Sequence, residues 1–140
     1  MRSSTGGESD LDTLLHDMSP ALCPGSYRFC TAADGAIPPG VVPVMTFREA
    51  EGLSLIVEAG GGGGLEEHFP CAWITLSVHS ALEAVGFLAA VTRHLAAAGI
   101  STNTVSAFHH DHLFVPEDKA DEAMALLRSL ATGHGSASES

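Results

Sequence analysis

The chain has 140 residues, of which 45% are apolar, so it is long enough for one domain or for two small units that share a core. Its 17 acidic residues outnumber its 6 basic ones, which gives a formal net charge of −11. This charge argues against a nucleic-acid partner, which needs a basic stripe, and against an anionic membrane surface.

The ends of the chain and its cysteines indicate the compartment. Residues 1–8 are predicted to be a disordered tail, and they contain no apolar run that could act as a signal segment. Cys23, Cys30 and Cys71 are odd in number and lack Cys-x-x-Cys spacing. This usage favours reduced thiols in a cytoplasmic protein.

The first predicted element is a short helix that follows Ser9 as its N-cap and ends at Ser19-Pro20. Its apolar stripe has helical spacing and consists of Leu11, Leu14, Leu15 and Met18. Three strands are then predicted, over residues 26–31, 41–48 and 53–57. The last two form a hairpin in which Gly52 is free to take a positive φ.

A run of five glycines occupies residues 60–64. It lacks the Lys-Ser/Thr ending of a phosphate-binding loop, so a flexible connector is predicted instead. This connector divides an N-terminal unit, residues 9–69, from a C-terminal unit, residues 70–132. Residues 133–140 are predicted to be a second disordered tail.

The second half has the clearest pattern, a β-α-β-β-α order from Cys71 to Leu130. Alternation in residues 71–78 predicts a half-buried strand. A capping box at Ser80–Glu83 then opens a helix that ends at Gly99. The apolar face of this helix is predicted to contain Leu82, Val85, Leu88 and Leu95. Two strands follow, residues 102–109 and 112–115, and a last helix opens at residues 116–118, with inward positions Ala120, Ala123, Leu127 and Leu130.

Three stretches carry a family resemblance: Phe47–Leu53, Trp73–Gly86 and Ala98–Pro116. Together they resemble the ACT-domain superfamily, in its small bacterial family of tandem-ACT proteins. The resemblance implies an α+β, ferredoxin-like fold with two ACT-type units, whose antiparallel sheets are related to βαββαβ and carry helices on one face. The first unit is degenerate, because residues 32–40 are too short and Pro-rich to form a helix.

The turn from the strand at residues 71–78 into its helix is the predicted ligand site. A helix N-terminus offers free backbone N–H groups and a positive dipole end, which suit the carboxylate of an amino acid. The resemblance points to the same turn. The predicted ligand-binding residues are His79, Ser80, Ala81, Leu82, Glu83, Ala84 and Gly86, with Asn103 as a side-chain donor or acceptor. The alternative is structural, with Ser80 and Glu83 only capping the helix.

The segment from His109 to His112 suggests a metal site, because histidine and aspartate are zinc ligands. In an extended chain, however, His110 and His112 point to one side while His109 and Asp111 point to the other. Two or three ligands at most would converge there. The alternative interpretation is a polar hairpin tip.

These features predict a non-enzymatic regulatory protein that binds a small molecule, expected to be an amino acid, and needs no cofactor. No nucleophile motif accompanies Cys71 or Ser80. The second hypothesis is an interaction or oligomerisation module without a ligand, which would form a homodimer or join another protein through sheet edges. A distant third is a metal-binding protein that uses His109, His110 and His112.

Overall fold

The computed structural model describes residues 10–78 and 84–135 and confirms the predicted α+β class. The helices are α1 (Leu11–Asp17), α2 (Phe87–Ala97) and α3 (Ala120–Gly135), and a 3₁₀ turn at Glu117–Lys119 precedes α3. The strands are β1 (Ser19–Leu22), β2 (Tyr27–Ala32), β3 (Met45–Glu49), β4 (Gly52–Glu58), β5 (His68–Ser77), β6 (Asn103–Ser106) and β7 (Asp111–Pro116). Among the described helices, none has the length and apolar character needed to cross a bilayer.

The strands of the described chain form one antiparallel sheet in the order β3-β4-β2-β5-β7-β6. β1 and β2 lie end to end along one side of β5, because Ser19 pairs with Ser77 and Tyr27 pairs with Cys71. β7 covers the other side of β5. The N-terminal and C-terminal halves of the chain therefore share a sheet, with β5 at its centre.

Sequence reasoning missed β1. The strand has four residues and contains Pro20, which lacks the N–H group that a strand between two neighbours would need. β1 pairs with β5 alone, so this missing donor is tolerated at a sheet edge. The helix before it ends at Asp17, close to the predicted end.

All three helices pack on one face of the sheet, as the family resemblance implies. We call this the helix face. Its core is entirely apolar and buries residues from every helix and from β5 and β7: Leu14, Leu15, Met18, Ala72, Ile74, Leu76, Phe87, Val91, Leu95, Ile100, Leu113, Val115, Ala123, Met124, Leu127 and Ala131. The predicted buried positions of α1 and the inward residues Ala123 and Leu127 of α3 are confirmed.

The N-cap of α1 is Asp10, whose Oδ2 atom accepts a hydrogen bond from the Thr13 backbone N–H at 3.1 Å. The predicted N-cap, Ser9, lies outside the described residues. An acidic cap also suits the positive end of the helix dipole.

The β-α-β-β-α order of the second half is confirmed, but α2 begins later than predicted. Its N-cap is Gly86, and Val85 is 83% exposed instead of lying on the apolar face. The buried stripe begins at Phe87 and continues through Val91. Gly86 has a φ of 91°, which is incompatible with helix and interrupts the pattern that Leu82 and Val85 suggest. The predicted end at Gly99 is confirmed by its φ of 78°.

The hairpin between β6 and β7 is wider than predicted. Ala107 N–H donates to the His110 carbonyl at 3.0 Å, so residues 107–110 form the turn. The predicted strand over residues 102–109 is consequently reduced to the four residues of β6. At the far end, α3 continues to Gly135, so the tail predicted from Gly133 is helical for its first three residues.

The hairpin of β3 and β4 is confirmed, although β3 starts at Met45 and residues 41–44 are not a strand. Gly52 has a φ of 148°, and a Cβ atom there would lie 2.6 Å from the Ala32 carbonyl oxygen. Glycine is therefore required at this position both by its backbone conformation and by the close approach of β2. Pro43 lacks an N–H donor, which explains why the predicted strand is shorter.

The glycine run at residues 60–64, where the sequence predicts a connector, forms a hydrogen-bonded loop between β4 and β5. The Glu67 carboxylate accepts from the backbone N–H groups of Gly60, at 2.8 Å, and of Gly62, at 3.1 Å. Gly63 lies against Val41, whose Cγ2 atom would be 2.6 Å from a Cβ at this position. The loop helps to cover a small cluster on β2 and β4: Cys30, Ala32, Leu53, Leu55 and Val57.

Candidate ligand sites

The predicted ligand site lies where β5 leads toward α2, and His79, Ser80, Ala81, Leu82 and Glu83 are outside the described residues. Two predicted residues on its helix side are described. Ala84 is half-buried against the helix-face core. Gly86 is the N-cap of α2 and supplies no side chain to its first-turn N–H groups. A Cβ atom at Gly86 would lie 3.6 Å from Leu11 Cδ2, so α1 flanks this helix start.

Asn103 lies at the start of β6, where its side chain is exposed, and it pairs with Phe114 of β7. Leu113 and Val115 face the helices, so Phe114 lies on the opposite face of the sheet, which we call the open face. Residues that pair directly in an antiparallel sheet share a face. Asn103 is therefore on the open face, whereas Ala84 packs on the helix face.

The open face carries an aromatic cluster centred on Trp73. The Tyr27 ring meets the indole edge-on at a centroid distance of 5.4 Å, and Phe114 stacks on it at 6.0 Å. Phe29 extends the cluster by an edge contact with Phe114 at 5.8 Å. Such geometries are the ones that aromatic pairs prefer, and they fix the position of the indole.

A polar group is built into this apolar surface. The Trp73 indole N–H donates to Nδ1 of His112 at 3.1 Å, and Thr75 Oγ1 lies 3.0 Å from the same nitrogen. An indole nitrogen can only donate, so Nδ1 must be the acceptor and the hydroxyl of Thr75 must also donate to it. The single proton of the neutral imidazole is therefore on Nε2.

The electrostatics of the pocket agree with this tautomer. Burial lowers the pKa of His112, and the neighbouring His110 lowers it further, while Asp111 acts in the opposite direction. Protonation would place a hydrogen on Nδ1 and break both hydrogen bonds. His112 is thus held as a neutral imidazole whose remaining donor is Nε2–H.

A cavity of about 210 Å³ opens beside this group. Its lining comes from β5, β6, β7, the start of β3 and the turns beside them: Val44, Met45, Trp73, Val105, Ala107, His112 and Phe114. β3 and β6 are the first and last strands in the order of the sheet. The sheet must therefore curl around its open face to bring both edges to one cavity.

Sequence reasoning did not find this cavity. Alternation correctly placed Trp73 and Thr75 on one side of their strand, and the same rule places His112 and Phe114 together on β7. What the sequence lacked was the register between the strands, in which Thr75 pairs with His112 and Trp73 with Phe114. Only that register assembles the indole, the hydroxyl and the imidazole.

The histidine-rich hairpin does not form a metal centre within the described part of the chain. No group of three or more His, Cys, Asp or Glu side chains there has a metal-binding arrangement. The rings of His110 and His112 are 6.4 Å apart, and Nδ1 of His112 already accepts two hydrogen bonds. Asp111 begins β7 instead of completing a ligand set.

The three cysteines are free thiols, as predicted. Cys71 is fully buried, its Sγ donates to the Tyr27 carbonyl at 3.3 Å, and burial raises its pKa to about 11. A nucleophile requires the thiolate, so Cys71 is unsuited to that role at neutral pH. Its burial and its hydrogen bond are those of a packed thiol.

Comparison with known proteins matches both halves of the chain to one kind of domain. The family described as ACT domain matches residues 6–72 and, in a second form, residues 68–129. A Vibrio cholerae protein of unknown function, described as a possible transport protein, is 45% identical with a TM-score of 0.78, over 86% of this chain and 95% of that one. No curated protein shows a significant match.

More distant structures share the fold. An Agrobacterium tumefaciens protein is 22% identical with a TM-score of 0.71, over 81% of this chain and 89% of that chain. The regulatory subunit of aspartate kinase from Thermus flavus is 11% identical with a TM-score of 0.59, over 79% of this chain and 95% of its own length.

Proposed function

Because this chain belongs to the ACT-domain family, with two ACT units in tandem, we propose that it is a non-enzymatic regulatory protein that binds an amino acid where β5 leads into α2. The site comprises His79–Ala84, with Gly86 at the start of the helix. The fold shared with regulatory subunits of aspartate kinase supports the regulatory role.

The observation that carries this proposal is the start of α2. Gly86 occupies the N-cap position with no side-chain hydrogen bond to the first turn, although Ser, Thr, Asp or Asn is the usual choice there. First-turn N–H groups have no partner within their own helix, and together with the dipole they favour a carboxylate. A glycine also leaves room for a ligand to approach the backbone.

Regulation would follow from the position of this site at the end of the central strand. β5 pairs with β1, β2 and β7, so it connects the two halves of the sheet. A ligand that favours one arrangement of the end of β5 shifts the population of that arrangement. The output would pass to a partner protein or to a second copy of the chain.

The test is a thermal-shift screen of the full chain against the twenty amino acids. A ligand at about 100 times its Kd adds roughly 2.7 kcal/mol to the free energy of unfolding, which raises Tm by several degrees in a domain of this size. Gly86→Asn tolerates the positive φ and places a side chain at the start of α2, where it takes up the room that the ligand carboxylate needs. We expect this variant to lose the Tm shift while remaining folded.

The matched control is Gly99→Asn, which makes the same change at the C-terminal end of α2, where φ is also positive. This variant should keep the full ligand-induced shift. If no amino acid raises Tm in the unmodified protein, or if both variants lose the shift equally, binding at the start of α2 is wrong.

A second function is favoured by the sheet edges. β3 and β6 each have one unpaired side, and Phe47 on β3 and Phe108 beside β6 are each 66% exposed. Unpaired strand edges next to exposed apolar side chains are surfaces for strand addition or oligomerisation. If no amino acid raises Tm, we expect the chain to act through these strand edges as an interaction or oligomerisation module.

A further inference from the structure

We propose that the cavity on the open face is a second binding site, specific for a small, uncharged, planar molecule that carries one hydrogen-bond acceptor. The inference does not depend on amino-acid binding at α2, because Trp73 and His112 lie on the face of the sheet opposite Ala84.

The size of the cavity limits the ligand. Its volume is about 210 Å³. An apolar cavity of about 150 Å³ is enough to hold benzene. The open-face cavity therefore fits a single ring with one short substituent and does not fit a nucleotide or a peptide.

The lining limits the charge of the ligand. Among the described residues that line the cavity, His112 is the only titratable one, and its imidazole is held neutral by the donors on Nδ1. Since the described lining contains no Lys, Arg, Asp or Glu, an ionic ligand would lose its hydration without gaining an opposite charge from it. The flat faces of Trp73 and Phe114 instead favour an aromatic or similarly planar molecule.

The hydrogen bonds of His112 determine which polar group the ligand must carry. Trp73 and Thr75 both donate to Nδ1, which places the proton of the neutral His112 ring on Nε2. The indole N–H of Trp73 can only donate, so it makes Nδ1 the acceptor, and the hydroxyl of Thr75 donates to the same atom. Nε2–H is then the donor that this ring offers to a ligand, among lining residues that are otherwise apolar apart from the indole of Trp73, and a few polar groups in an apolar lining are the usual composition of a small-molecule pocket.

The experiment uses Trp73 as its own reporter, because it is the only tryptophan in the chain. Benzamide is uncharged, planar and carries a carbonyl acceptor, so we expect it to change the Trp73 fluorescence saturably. His112→Phe removes the donor and should weaken benzamide binding by roughly two- to tenfold, the range of one hydrogen bond. Toluene, which lacks an acceptor, should bind equally to both proteins.

The filling variant is Val105→Phe, which places a ring in the cavity from edge strand β6. It should abolish the benzamide response, whereas Thr104→Phe, one position along the same strand and exposed, should retain it. Ala107→Leu is a second filling variant, from the exposed hairpin turn, in case Val105→Phe does not fold. Circular dichroism confirms folding in each case.

Three outcomes would overturn the proposal. One is the absence of any saturable fluorescence change with benzamide up to its solubility limit. Another is an unchanged response in folded filling variants, which would indicate collisional quenching outside the cavity. The third is benzoate binding as tightly as benzamide, because a carboxylate has no counter-charge among the lining residues.

Discussion

The two faces of the sheet are built from the same strands but have different chemistry. On the helix face, every core residue is apolar and three helices cover the sheet. On the open face, no described helix packs against the strands, and aromatic rings surround a hydrogen-bonded group of Trp73, Thr75 and His112. A cavity of about 210 Å³ remains on this side.

This difference indicates that the helix face contributes most of the stability, whereas the open face determines what can bind. The free energy gained on folding grows with the apolar area that is buried, and this contribution does not require a particular orientation of the side chains. A fixed tautomer beside a cavity contributes little to stability in comparison, but it selects what can bind. Substitutions on the helix face should therefore change the free energy of unfolding most, and those on the open face should change the environment of Trp73 most.

The largest effect is expected from Leu127→Ala on the helix face. Leu127 is fully buried in α3, and its truncation removes apolar contacts and leaves a cavity. The expected loss is about 2–5 kcal/mol in the free energy of unfolding, measured by urea denaturation. Ser129→Ala, an exposed position on the same helix, should change it by less than about 0.5 kcal/mol. A loss below about 1 kcal/mol for Leu127→Ala would show that the helix face is not the stabilising one.

A pair of neighbouring substitutions in β5 compares the faces directly. Ile74→Val removes one methylene from the fully buried helix face and should cost about 0.5–1.5 kcal/mol. Thr75→Val keeps the side-chain shape on the open face but removes the donor to His112, at a cost of about 0.5–1.5 kcal/mol. The two should be similar in urea midpoint yet differ in Trp73 fluorescence, which only Thr75→Val shifts. Identical Trp73 fluorescence spectra for the two variants would contradict the proposed difference between the two faces.

Much of the fold could be predicted because local patterns were consistent with it. The stripe of Leu14, Leu15 and Met18, the stop at Gly99 and the positive φ at Gly52 each depend on residues close in sequence. β1 and the start of α2 were missed for the opposite reason. A four-residue strand with a proline carries no alternation signal, and the apolar pattern of Leu82 and Val85 does not reveal the positive φ that Gly86 adopts.

The two candidate sites also differ in how far the sequence could predict them. The start of α2 was identified from family resemblance and helix chemistry, although Asn103 lies on the other face of the sheet from Ala84. The open-face cavity depends on the pairing of Thr75 with His112 and on the curl that brings both sheet edges together. Residues 37 positions apart cannot be aligned without knowing the register, so this site could not be derived from spacing alone.

The smallest expected effect concerns pH, and it tests whether the open face holds His112 neutral. Burial, with His110 beside it, lowers the pKa of His112 in the folded protein below the value of about 6.5 expected for the unfolded chain. Between these two values the unfolded state binds more protons, so the free energy of unfolding falls as pH decreases below about 6.5 and levels off below the folded pKa. Urea denaturation over this range should show a shallower decrease for His112→Gln, whereas Leu127→Ala should keep the slope of the unmodified protein. Identical slopes for His112→Gln and the unmodified protein would mean that the imidazole charges freely in the folded state, and the hydrogen bonds from Trp73 and Thr75 to Nδ1 could not then fix its tautomer.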